Sequence, residues 1–133
     1  MDLVEEEIIK YRNGKISRFE DIVAWQKARL VYGILFKSFK GNRDFSFKDQ
    51  LFRAQLSIMN NIAEGFDRRS RKEWIQYLYI AKGSCSEVRS MLYIALDNEY
   101  LTNNEFEELI VKTESISKML QGLIKVTKEN YKI

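Results

Sequence analysis

The chain has 133 residues, is 45% hydrophobic and carries a formal charge of +3; it suits one domain with a substantial core, and its basicity is too mild to indicate nucleic acid without a local cluster. It contains no histidine and a single cysteine, Cys85, which removes Ser-His-Asp and Cys-His catalysis, the usual zinc sites, the Glu-x-x-His di-iron pattern and an internal disulfide. Proline is absent and glycine sparse, so long helices meet few breakers.

No run of about 18 uninterrupted apolar residues exists, which argues against a membrane-spanning helix. The opening MDLVEEEIIKYRNGK is acidic before it is apolar and lacks the basic leader and small-residue cleavage site of a secretory signal. With one thiol, the chain is expected in a reducing, cytoplasmic setting. Residues 1–18 read as an N-terminal arm, with a turn at Asn13-Gly14 and a short helix over Val4 to Tyr11.

From Phe19 to the end, residues 19–133, the pattern is helical. Ala24, Ala28, Val31, Leu35 and Phe39 recur at steps of three and four, the spacing of one helical face. Gly41-Asn42 suits a left-handed end to this first helix. The second helix is expected to start at Ser46 as N-cap and to bury Leu51, Ala54, Ile58 and Ile62 before closing at Gly65. The third opens on a capping box, Ser70-Arg71-Lys72-Glu73. Its seam runs through Trp74, Tyr77, Leu78, Ala81, Cys85, Val88, Leu92 and Ala95 to a stop near Asn98. A second box, Thr102-Asn103-Asn104-Glu105, starts the fourth, which carries Phe106, Leu109, Thr113, Ile116, Leu120 and Leu123. Four helices of roughly 20 to 28 residues with short loops predict an all-α, antiparallel up-and-down four-helix bundle.

Three stretches carry a family resemblance: Phe19-Glu20-Asp21-Ile22-Val23-Ala24-Trp25-Gln26-Lys27-Ala28, Ser57-Ile58-Met59-Asn60-Asn61-Ile62-Ala63-Glu64-Gly65, and Ile80-Ala81-Lys82-Gly83-Ser84-Cys85-Ser86-Glu87. Together with Arg68, Ser70, Lys72 and Glu73 they resemble the 23S rRNA intervening-sequence protein family, over about Phe19 to Lys128. The resemblance implies a bundle, a homopentamer and a bacterial origin, and it implies no established activity. A distant relative of the same architecture serves diversity-generating retroelements by binding a reverse transcriptase and nucleic acid, an analogy of fold. The family usually has proline where this chain has Met59, so a kink in the second helix does not carry over.

The densest local chemistry is Arg68-Arg69-x-Arg71-Lys72 at the junction of the second and third helices. Four cations beside a helix start suit phosphate. Folding the hairpin about Asp67 sets Asn61 level with Trp74 and Glu64 level with Arg71, and folding the first helix back brings Trp25 to the same end. Trp25, Asn61, Glu64, Arg68, Arg69, Arg71 and Lys72 are therefore the expected nucleic-acid surface, with RNA or DNA as partner. The competing reading is a solvated loop in which Glu64 pairs with a neighbouring arginine. Asn61 is better suited to a structural role, capping backbone groups or bonding Trp25, than to a ligand.

Gly83-Ser84-Cys85-Ser86 reads as a small-residue patch permitting close helix approach, with Gln50, Arg53, Ser84 and Glu87 as a polar layer inside the bundle. Cys85, in a mid-helix seam without a histidine base, suits a core thiol. Glu5-Glu6-Glu7 and Glu107-Glu108 read as solvated faces, and Gly41, Gly65, Gly83 and Gly122 are too isolated to cradle phosphate. No cofactor, metal or small-molecule substrate is evident.

The third helix lacks the polar face that an isolated bundle needs. With its seam turned inward, Ile75, Tyr79, Met91, Tyr93 and Ile94 must point outward as an apolar patch that monomers avoid, so a homo-oligomer is expected. The sequence thus reads as a non-enzymatic oligomer that binds nucleic acid or a nucleoprotein, or alternatively as a protein–protein scaffold without nucleic-acid affinity.

Overall fold

Each of the four helices has an apolar stripe at helical spacing, and four such stripes are buried together only when the helices line a common axis. The computed structural model, which describes residue 5, residues 16–68 and residues 70–130, has this arrangement. A single 3₁₀ turn, Phe19–Asp21, leads into α1 (Val23–Ser38), α2 (Phe45–Phe66), α3 (Arg71–Asp97) and α4 (Asn103–Asn130). There is no strand among the described residues. Each helix packs on the next, and α1 closes the bundle against α4. Apart from Glu5, which is helical, the arm helix expected over Val4 to Tyr11 lies outside the described residues.

The stripes expected from spacing are the core. Ala24, Ala28, Leu35, Leu51, Ile58, Ile62, Leu78, Cys85, Leu92, Leu109, Leu120 and Leu123 are fully buried. Met91, expected on the outer face, belongs to the core as well, at 8% exposure. Met91 follows Ser84 and Val88 at helical steps, and α3 is pressed between α2 and α4, so its buried stripe is wider than one seam. Ile75 is half-buried and packs on the same core.

Local chemistry fixes where the helices begin and end. The first helix is shorter than expected, 16 residues, because Ile22 adopts extended backbone (φ −76°, ψ 121°) between the 3₁₀ turn and α1. Gly41, at φ +84°, supplies the left-handed turn after it. The N-cap of α2 is Asp44 rather than Ser46: Asp44 Oδ1 accepts from the Phe47 N–H at 3.2 Å. Its other oxygen accepts from the Tyr100 hydroxyl at 2.5 Å, so one carboxylate joins two loops. Ser70 caps α3 by accepting from the Glu73 N–H at 3.3 Å. At Thr102 the capping box is complete, with Thr102 Oγ1 accepting from the Glu105 N–H at 3.1 Å and Glu105 Oε1 accepting from the Thr102 N–H at 2.9 Å. The chain leaves α3 through a Schellman turn in which Tyr100 N–H bonds Ala95 O and Glu99 N–H bonds Leu96 O. Glu99 there adopts φ +61° in place of the usual glycine.

The polar layer lies elsewhere than expected. Gln50, Arg53 and Glu87 are exposed, and Arg53 pairs with Asp49 at 2.8 Å. The polar groups inside are Gln55, Ser84, Thr113 and Thr127. Thr113 and Thr127 satisfy themselves on the carbonyls one turn back, Leu109 and Leu123. Gln55 Nε2 reaches across to the Ala28 carbonyl at 2.9 Å, tying α2 to α1. Through Met59, α2 continues unbroken.

Gly65 marks a close approach of α2 to α3. A Cβ placed there would lie 2.4 Å from Tyr77 Cβ and 2.9 Å from Trp74 Cε3, both on the rigid face of α3. Gly65→Ala should therefore destabilise by about 1–3 kcal/mol despite its better helix propensity, and Leu78→Ala or Ile116→Ala by about 2–5 kcal/mol. Chemical denaturation of each variant checks both figures, and a gain in stability for Gly65→Ala refutes the close approach.

Candidate functional site

The α2–α3 junction is built on that close contact. With no side chain at Gly65, Trp74 buries against the end of α2 and meets Phe66 edge to face, 5.5 Å between ring centroids. Tyr77, one turn on, reaches Glu64, and its hydroxyl donates to Glu64 Oε1 at 3.1 Å. Arg68 completes the group. Its Nη2 donates to Glu64 Oε1 at 3.2 Å and to the Tyr77 hydroxyl at 3.1 Å, and its guanidinium lies 5.5 Å from the Tyr77 ring centre. Glu73 stands 3.7 Å from Arg68 Nε. Hydrogen bonding to Glu64 raises the already high pKa of Arg68, so it is a permanent cation with two carboxylates in attendance.

The expected surface is only partly assembled. Glu64, Arg68 and Arg71 share the junction with exposed Lys72, and Arg71 is half-buried and engaged with neighbours. Arg69 lies outside the described residues. Glu64, Asp67 and Glu73 stand among the four cations, leaving an excess of one positive charge. Asn61 turns along its own helix, donating to the Ser57 carbonyl at 2.8 Å and to Ser57 Oγ at 3.0 Å. Ser57 Oγ also accepts from Ser84 Oγ at 2.8 Å, so a hydroxyl chain crosses from α3 to Asn61. Trp25 keeps other company: Phe19 meets it edge to face at 5.2 Å and the Arg29 guanidinium lies 5.8 Å from its ring centre. It borders a groove of about 870 Å³ between α1 and α4, which the sequence reading missed. Nothing in a helical repeat states how wide the gap beside a neighbouring helix will be.

The outer side of α3 forms a second candidate surface. Tyr79, Tyr93 and Ile94 are 45%, 53% and 47% exposed, and Ile80, missed as an outer residue, is 51% exposed. Between them Gly83 points into open space, with no atom within 4 Å of where a Cβ would stand. The small-residue patch is thus divided: Ser84 and Cys85 face the core, and Gly83 and Ser86 face outward. Tyr79 and Tyr93 are steadied from α4. The Lys128 ammonium donates to the Tyr79 hydroxyl at 2.8 Å, and Phe106 meets the Tyr93 ring edge to face at 5.0 Å.

No group of three or more residues suited to metal occurs among the described residues. No helix among them is long and apolar enough to cross a membrane.

The model of the family described as 23S rRNA-intervening sequence protein matches residues 20–122. A crystal structure of a protein of unknown function from the S23 ribosomal protein family of Bacteroides thetaiotaomicron is similar, with 26% identity and a TM-score of 0.70. That likeness covers 77% of this chain and 96% of the other. No curated protein matches.

Cys85 is buried, and burial pushes its thiol up to about 12 against the weaker opposing pull of Arg89 and Lys82. At pH 8 the native thiol should react with an aromatic disulfide reagent on the order of a thousandfold more slowly than in the unfolded chain. Stopped-flow absorbance with and without denaturant checks this, and comparable rates would remove Cys85 from the core.

Proposed function

The chain belongs to the 23S rRNA-intervening sequence protein family, and we propose that it works as a non-catalytic homo-oligomer assembled through the outer face of α3. The observation that carries this reading is the bare strip at Gly83, bordered by Ile80 and Ile94 at about half exposure and flanked by Tyr79 and Tyr93. A glycine in the exposed middle of a helix costs roughly 1 kcal/mol against alanine, and a second helix backbone approaching there offsets that cost. Aromatic and aliphatic side chains around a small-residue notch are what a subunit interface uses, and a closed ring covers every copy equally. Five copies is the number that the resemblance implies.

In such a ring the α2–α3 junctions would recur at regular intervals. One junction holds an excess of a single charge, too little for tight binding. Repetition raises the avidity for a long polyanion, RNA or DNA, without any new contact. The engagement of Arg68 by Glu64, Tyr77 and Glu73 favours the second reading, a protein-interaction scaffold without nucleic-acid affinity.

Sedimentation equilibrium at micromolar concentration should give a mass several times 15.8 kDa. Ile80→Glu with Ile94→Glu should reduce it to that of one chain while the helical circular dichroism stays unchanged. A wild type that sediments as a single chain refutes the assembly. Separately, electrophoretic retention of structured RNA should weaken steeply with added salt and vanish in the Arg68→Gln, Arg69→Gln, Arg71→Gln triple variant. Salt-insensitive retention, or none, leaves the scaffold reading in its place.

A further inference from the structure

The outer face of α3 cannot close a ring by itself. A ring of three or more copies has rotational symmetry alone, so each of its interfaces joins two different faces, and the α3 strip must meet a second surface on the next copy. α1 and α3 each pack on α2 and α4 and lie diagonally across the bundle. A surface on α1 and a surface on α3 can therefore be engaged by two different neighbours at once, as a ring requires.

α1 carries the matching features. Gly65 is explained inside the chain by Tyr77 and Trp74, but Gly33 and Gly83 both stand within helices with no atom within 4 Å of where a Cβ would be. A mid-helix glycine weakens its own helix, and two such notches on different helices permit one close crossing, backbone to backbone. The surroundings agree in register. Three residues before each glycine stands an exposed aliphatic side chain, Leu30 at 59% and Ile80 at 51%. Four residues after each stands an exposed charge, and the two are opposite, Lys37 and Glu87. α1 itself has no acidic residue and holds Lys27, Arg29 and Lys37, whereas the exposed charges of α3 from Gln76 to Asp97 are Glu87 and Asp97. Across the trough from Leu30, Val111 of α4 adds apolar surface at 61% exposure.

We propose that the surface covering the α3 strip is the α1 side of a second copy, with Gly33 laid on Gly83, so that each interface is heterologous. This rests on the assembly proposed above and names the partner of that face. In an up-and-down bundle α1 and α3 run in the same direction, and in a ring whose axis follows the helices they run parallel across the interface as well. Leu30 then falls beside Ile80, and Lys37 beside Glu87.

The test mixes two chains, each with one face destroyed. Ile80→Glu with Ile94→Glu removes the α3 strip, and Leu30→Glu with Val111→Glu, also at exposed positions, removes the α1 side. Each should sediment alone as a single chain with unchanged helical circular dichroism. Mixed in equal amounts at high concentration, they should form a complex of two chains and stop there, because one intact interface remains. In the otherwise wild-type chain, whose native Cys85 is buried, a mixture of Leu30→Cys and Ile80→Cys chains should form an interchain disulfide at least about tenfold faster than either alone. A Leu30→Glu, Val111→Glu chain that still assembles, or Ile80→Cys chains that cross-link with themselves as fast as the mixture, means that the α3 strip meets its own copy; either result overturns the proposal while the assembly stands. Absence of the two-chain complex overturns it too. A wild type that sediments as one chain instead removes the assembly beneath it.

Discussion

The missing side chain at Gly65 is the contact on which the rest of the α2–α3 hairpin depends. A methyl group there would overlap Tyr77 and Trp74, so only glycine lets α3 lie this close to the end of α2. The approach buries Trp74 against Phe66 and carries the Tyr77 hydroxyl to Glu64. Arg68 is then held in place by two partners from different helices rather than by an exposed i,i+4 pair alone, which is worth little by itself. One backbone position thereby sets both the packing at this end of the bundle and the conformation of its first junction cation.

What the sequence states well is what repeats. Steps of three and four residues mark the inward face of every helix, because a helical repeat is a property of the chain itself. Capping boxes are legible for the same reason, and the Thr102 box has both of its bonds. What it states poorly depends on a neighbour. Ser46 and Asp44 are both acceptable caps, and Asp44 serves because its carboxylate also meets Tyr100, 56 residues away. Met91 and Ile80 are both plausible outer residues on a helical wheel. The width of the seam between α2 and α4 turns the first inward and leaves the second out. Gln55 shows the same limit: an amide amid apolar residues reads as a surface position until the Ala28 carbonyl is found opposite it.

The candidate sites divide along the same line. The junction cluster is visible as a run of like charge, but a run of charge does not disclose its counterions. Glu64 stands four residues before Arg68 and can pair with it locally, whereas Glu73 reaches Arg68 only after the hairpin closes. The α1 cations carry the opposite lesson, since their isolation from acid is written in the sequence, while the trough beside them exists only once α4 is in position. Charge density and charge availability are separate quantities, and folding fixes the second.

Among the four helices α1 is the shortest, and it shares much less surface with either neighbour than α3 shares with α2 and α4. A three-helix unit of α2, α3 and α4 therefore forms the more cohesive block, with α1 as a stave laid along it. Opening such a structure need not be all or none. Detachment of α1 breaks the Gln55–Ala28 bond and two thin seams, whereas separation of α3 breaks the two broadest ones. The backbone amides of α1 accordingly belong to a lower-energy opening unit, exchanging with solvent ahead of those in α3.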